Sequence, residues 1–250
     1  MTEPAAEESD SFLGAWRVSE YVHAPDGGYV GVVRQRRELR RNPDGTTRVW
    51  QQCEPEPALA DHAVGAFAGE WVFDLRADGS VRHYLGPDVV GRGFEWEPGI
   101  MTGRGVWPRF GYSFTSYAAL VAPDRQVTGG LFSVAGASMC TIAGVAESVE
   151  RLGNDAWPEL DLTWSPPELR ARSHGELTFD GRRVEGTDGL RGTARSVGPS
   201  LILDGWLDAT HQVERLVLAD AATESVRAIE LVTTHTPDGG STVSYQRSPA

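Results

Sequence analysis

Short runs of alternating apolar and polar residues, cut by glycine- and aspartate-bearing turns, make up most of this chain. Turn signals recur at Pro25–Gly28, Asn42–Gly45, Ala77–Gly79, Asp180–Gly181, Thr187–Gly189 and Pro237–Gly240. Glycine supplies positive φ and aspartate bonds back into its own turn, so these segments predict hairpins. The runs between them are rich in Val, Thr, Tyr, Phe and Trp. Strong 3.6-residue periodicity appears nowhere, and the best helix candidate is the weak segment Ala58–Phe67. The pattern predicts roughly sixteen strands, about ten before a polar, Gly- and Pro-marked stretch at Glu150–Leu160 and about six after it. The expected fold class is all-β, an antiparallel meander in two barrel-like lobes, with a single large sheet system as the alternative. Residues 1–10 are expected to be a disordered acidic tail, 11–150 a barrel lobe with an aromatic-lined cavity, and 151–250 a second, smaller lobe.

One hairpin can be worked through. In Gly69–Gly86, Trp71, Phe73 and Leu75 alternate with polar neighbours. A three-residue turn at Ala77–Gly79 sets Leu75 opposite Val81, Asp74 opposite Arg82 and Phe73 opposite His83. In that register His83 points to the apolar face and Asp74 pairs with Arg82 on the other. The second lobe offers a comparable two-residue Asp-Gly hairpin in Leu177–Gly186.

The stretch Met101–Leu120, "MTGRGVWPRFGYSFTSYAAL", concentrates aromatics, arginines and glycines. As a strand it puts Tyr112, Phe114, Ser116, Ala118 and Leu120 on one face, and Ser113, Thr115, Tyr117 and Ala119 on the other. Upstream lie Phe94, Glu95 and Trp96, then Trp107, Arg109 and Phe110. Rings for apolar area, glycines for backbone approach and a few polar groups are what a ligand cavity wall needs. A plain aromatic core would use the same residues, with Arg109 stacked on a ring at the rim. Gly-Arg-Gly occurs at Gly91–Gly93 and Gly103–Gly105. Neither is a full dinucleotide fingerprint, and both read as a strand kink or bulge.

Composition narrows the classes. The net charge of −12 and pI of about 4.9 argue against general nucleic-acid binding. No apolar run approaches the ~18 residues of a membrane span, and the acidic N-terminus lacks the apolar core of a secretory signal. All 23 basic residues are arginine, which excludes lysine Schiff-base chemistry, a Walker-type phosphate loop and a lysine-linked pyridoxal cofactor. Cys53 and Cys140 form no disulfide framework or thiolate metal motif. They read as small buried hydrophobes in a reducing, cytoplasmic setting.

The opening "SFLGAWRVSEY", Ser11–Tyr21, resembles the first strand of a lipocalin or related calycin barrel through Gly14-Ala15-Trp16. The resemblance implies an antiparallel barrel with an internal cavity for an apolar ligand. It also implies that the Trp plugs one barrel end beneath an arginine from a late strand.

Six histidines are present, none at metal-ligand spacing, and no metal or other cofactor is expected. Haem through His83 is a minor option that such a barrel would allow. No Gly-x-Ser-x-Gly elbow supports a hydrolase triad. If the middle stretch is a cavity wall, Arg109 is the candidate cation for an anionic or enolate oxygen. Tyr112 or Tyr117 is then the proton donor, and His83 or Glu95 the base. Trp71, Phe73, Trp96, Trp107, Phe110 and Phe114 are the candidate ligand-contacting rings. The favoured expectation is a cofactor-independent isomerase, cyclase or hydro-lyase acting on a small apolar molecule, of the kind met in specialised metabolism. The alternatives are a non-catalytic carrier or sensor of the same kind of ligand, and a protein that interacts through its β-edges. The first requires ionisable groups converging in one cavity; the second requires only the cavity.

Overall fold

Each alternating run finds a partner in the next one along the chain. The structure, a computed structural model, describes residues 11–135, 137–153, 156–163, 177–180, 183–197, 200–223 and 225–248. The expected tail at 1–10 lies outside these residues. The chain divides into two units, Met1–Glu159 and Leu160–Ala250.

The first unit is a closed antiparallel barrel of ten strands. They are β1 (Gly14–His23), β2 (Tyr29–Arg41), β3 (Thr47–Pro55), β4 (Gly69–Asp78) and β5 (Val81–Leu85). There follow β6 (Val90–Glu97), β7 (Ile100–Trp107), β8 (Tyr112–Ala122), β9 (Arg125–Val134) and β10 (Ala137–Ser148). Every strand pairs with its sequence neighbours and β10 returns to β1, which removes the open edges of the sheet. This is the antiparallel barrel that the Gly-x-Trp resemblance implies. Trp16 does fill the interior: it is buried, its indole donates to the Phe12 carbonyl at 3.0 Å, and it packs with Val18, Ala146, Leu39 and Leu120. The arginine beside it comes from an early strand, however. Arg37 of β2 is its cross-strand partner.

The weak helical segment between β3 and β4 becomes two short 3-10 helices, Pro57–Leu59 and Ala63–Phe67. They carry Leu59, Val64 and Phe67 into the barrel core against Val22, Val33, Trp71 and Trp107. After β10 a single helical turn, α1 (Val149–Leu152), is capped by Ser148, whose hydroxyl accepts from the Arg151 amide.

The second unit is a seven-stranded antiparallel meander running from Leu177 to Ser248. The barrel form expected of both lobes is found in the first; the second is a sheet. Val184, Leu190, Leu203, Val213 and Val217 form its core, and Arg215 and Glu230 sit buried with 3.6 Å between their charged atoms. Among the described residues no helix is long and apolar enough to cross a membrane.

Strand pairing in both hairpins runs further toward the turn than the sequence pattern predicts. Strand β4 runs on to Asp78, which pairs with Val81, so the connection is Gly79–Ser80, with Gly79 at φ 56°. His83 thus faces Arg76 in place of Phe73, a shift of three positions, and an odd shift sends every side chain of the second strand to the opposite face. In the second unit Asp180 is itself a strand residue, paired with Arg183.

Candidate functional site

The barrel register defines one continuous inward face. On β1 it carries Trp16, Val18, Glu20 and Val22; on β2, Gly31, Val33, Gln35, Arg37 and Leu39. Glu20 pairs with Val33 and with Gly144, and Arg37 pairs with Gln51. On the far wall the inward row crosses Tyr84, Gly91, Gly105 and Phe114 in one line, and Gly93, Gly103, Ser116 and Gly130 in another. These two walls differ in chemistry. Strands β1–β3 bring carboxyl, amide and guanidinium groups; β4–β8 bring rings and glycines.

Between them lies a cavity of about 210 Å³. Phe67, Phe73, Tyr84, Trp107, Phe114 and Phe132 supply rings to its wall; Glu20, Gln35, Arg37, Gln51, Ser116 and Thr128 supply polar groups. Phe67 organises the aromatic end, with its ring centroid 5.1 Å from Trp107, 5.0 Å from Phe110 and 5.5 Å from Phe132. Edge and tilted contacts of this kind stabilise beyond simple area burial.

The glycines of the two Gly-Arg-Gly motifs face inward in regular strand, and the register irregularity of β6 falls later, between Glu95 and Glu97. They are therefore not bulges. A Cβ at Gly103 would stand 2.2 Å from the Tyr84 hydroxyl and 2.9 Å from the Ser116 hydroxyl. The bare backbone lets those two groups meet over it, and they are hydrogen-bonded. Gly144 does the same on the polar wall, where a Cβ would stand 2.4 Å from Thr128 Oγ1 and 3.1 Å from Glu20 Cγ.

The polar wall is a linked network. Gln35 Nε2 donates to Glu20 Oε2 at 2.5 Å, and Arg37 Nη2 donates to Glu20 Oε1 at 3.4 Å and to Gln35 Oε1 at 2.8 Å. Burial raises the Glu20 pKa above its ordinary value, and the Arg37 charge and the two hydrogen bonds only partly offset it. Burial likewise pushes the Tyr84 phenol up to about 12, against the bond with Ser116 and the Arg37 charge. Cys53 and Cys140 are free and buried, and burial pushes both thiols up to about 12. They are packing groups here, not nucleophiles.

The residues expected from sequence scatter. His83 pairs with Arg76 and Arg92 on the outward row, its side chain 39% exposed and 4.0 Å from Asp78. The expectation of an inward His83 fails because the β4–β5 register is shifted by three positions, and a histidine outside the barrel cannot ligate a haem held within it. The same register change separates Asp74 from Arg82. Asp74 accepts both bonds of a forked contact from Arg48, at 2.8 and 2.9 Å. Arg82 turns inward to Glu95 at 2.5 Å. Glu95 is thus buried and already paired, and it is not on the cavity wall. Arg109 is exposed in the β7–β8 turn, over the Trp71 and Phe110 rings at 5.9 and 5.7 Å. It is a rim cation with no part in the wall. Tyr112 is inward but stacks on Phe110 behind the cavity. Tyr117 is buried and belongs to the cavity lining, although its register partners Thr102 and Gly129 put it on the other row from Phe114 and Ser116.

Of the candidate rings, Phe73, Trp107 and Phe114 line the cavity. Trp71 and Phe110 belong to the aromatic cluster behind it. Trp96 lies away from the wall, its indole donating to Thr102 Oγ1 at 2.9 Å. Sequence reasoning missed Glu20, Gln35, Arg37, Tyr84 and Thr128. The available signal was period 2: Glu20 breaks the apolar row Trp16, Val18, Val22, and an acid in such a row needs a partner inside. Among the described residues no group of three or more His, Cys, Asp or Glu is placed to hold a metal.

Comparison with solved structures finds a likeness to an S-type phycobiliprotein lyase from Guillardia theta. The two are 10% identical over 54% of this chain and 86% of that one, with a TM-score of 0.39. No family model matches the chain, and no curated protein matches it.

Proposed function

We propose that the barrel takes up a small, largely apolar molecule and transforms it by proton transfer, without a cofactor, in an isomerisation, a cyclisation or the addition or loss of water. One observation carries this reading: a carboxyl group with raised proton affinity, Glu20, stands in the polar wall of a cavity whose facing wall is lined by rings. A carboxyl with a raised pKa holds its proton more readily than a free glutamate, which suits a group that gives and takes a proton. Arg37 fixes its orientation and supplies positive charge beside it. Tyr84, held by Ser116 over Gly103, is a neutral hydrogen-bond donor on the opposite wall. The rings of Trp107, Phe114 and Phe73 hold the apolar body and exclude water. The reading keeps the protein in a reducing, cytoplasmic setting, with Cys53 and Cys140 as free thiols.

A second reading rests on the same network. Both Glu20 oxygens already accept hydrogen bonds, as befits a group that only orients a ligand in a carrier. The test is to purify the full chain and its Glu20→Gln variant from the same host and identify the small molecules each retains. Catalysis predicts different molecules, isomers or partners differing by one water, with turnover in the variant reduced on the order of 10²–10⁴-fold. The same molecule retained by both proteins would make this a carrier.

A further inference from the structure

The polar groups on the cavity wall are unevenly satisfied, and the imbalance has a direction. Arg37 uses Nη2 on Glu20 and Gln35, while its Nε is buried without a partner. The Thr128 hydroxyl lies over Gly144, and the Trp107 indole Nε1 lies among the rings. Both residues are buried, and neither polar atom has a partner. An arginine Nε and an indole nitrogen can only donate. The carboxylate of the same wall is, by contrast, occupied on both oxygens. Glu95 Oε1, a buried acceptor without a partner, is not on this wall. The cavity therefore offers spare donors and no spare carboxylate oxygen. A donor left unpaired in an apolar interior costs its full desolvation, which favours a ligand that brings an acceptor.

Resting on the reading above, we propose that the ligand is an acceptor-bearing ring compound: one or two apolar rings carrying a carbonyl-class oxygen, as in a ketone, enolate or carboxylate. Arg37 and Thr128 take the oxygen. Trp107 offers a further donor along the ring body, which packs on Phe114 and Phe73. Size agrees. About 210 Å³ falls below the ~300–1,000 Å³ of sites for drug-sized molecules, which restricts the body to a compact one.

The test compares matched probes on the full chain by titration calorimetry: 1-tetralone, its hydrocarbon tetralin, and 1-naphthoate. The two oxygen-bearing probes are expected to bind at least about tenfold more tightly than tetralin, the worth of one buried hydrogen bond. Thr128→Val, nearly isosteric, is expected to shrink that advantage while tetralin affinity stays within about twofold. Trp107→Phe supplies a second variant that removes a donor and keeps a ring. The order of 1-tetralone and 1-naphthoate tells which member of the class, neutral or anionic, the site prefers. Tetralin binding as tightly as the other two overturns the acceptor class and leaves ligand binding standing. Binding of none of the three overturns both.

Discussion

Strand β1 carries charge on both of its faces, Glu20 inward and Arg17 outward, and the two faces do different things with it. Inward, Glu20 meets Gln35 and Arg37 beside a cavity, with a spare donor and a raised pKa. Outward, Arg17, Arg125 and Glu147 share one register line. There Arg125 bonds Glu147, Arg151 reaches both Glu147, at 3.6 Å, and Asp124, at 2.8 Å, and Arg125 also donates to the Glu159 carbonyl. Arg17 and Arg34 lie over the Trp157 ring at 5.1 and 5.6 Å. In the outward cluster the acids meet arginines, and the arginines reach acids, a carbonyl or a ring. It fastens the segment after β10 to the barrel. The inward network is open toward a space. Charged residues on opposite faces of one strand join a clasp on one side and a site on the other.

The contrast breaks most visibly in stability. Arg125→Met removes a buried partner of Glu147 and is expected to cost about 3 kcal/mol, on the order of 10 °C in Tm. Probe binding by the folded fraction should be unchanged. Thermal unfolding and calorimetry on the same sample check both halves, and equal losses in both would merge the two faces into one system.

A smaller effect belongs to the far wall. Gly103→Ala puts a methyl where the Tyr84 and Ser116 hydroxyls meet, and is expected to cost about 2 kcal/mol by overpacking. Here, unlike the outward cluster, probe binding should weaken with stability, because the group displaced is part of the cavity wall.

The smallest effect is the pH dependence of Glu20. Its folded pKa is raised by burial, so the folded protein holds that proton more tightly than the unfolded chain. The resulting stabilisation is fully present below the unfolded value of about 4.3 and is lost as pH rises through the raised folded value. Glu20→Gln is neutral throughout. Relative to the parent, its stability is therefore expected to improve from acid to neutral pH, as denaturant unfolding at the two pH values would show. A constant difference would mean that Glu20 titrates normally and that the inward network resembles the outward one.

The fold was largely legible in the sequence, because turn residues and period 2 are local signals. Alternation in Tyr112–Leu120 put Phe114 and Ser116 on one face, and that face is the inner one. The site was legible only where it is local. Phe73, Trp107 and Phe114 stood out as rings in strand pattern. Glu20 and Arg37 meet across the paired strands β1 and β2, 17 residues apart, and barrel closure through β10 adds Thr128 from β9. His83 shows how narrow the margin is. A two-residue connection at Gly79–Ser80, in place of three residues, was enough to turn it outward and bring Tyr84 in. Arg109 shows a different limit, since a turn residue next to aromatic neighbours stacks on them from outside as readily as from within.

The central claim is that the space beside Glu20 and Trp107 admits a ligand. With eight tryptophans in the chain, total fluorescence cannot isolate it. The indole N–H resonances can, once that of Trp107 is assigned by its loss in Trp107→Phe. On titration with 1-tetralone we predict a saturable shift of the Trp107 resonance, while that of Trp206, 43% exposed in the second unit, stays in place. A Trp107 resonance that does not move, or that moves only in step with Trp206, would contradict the account.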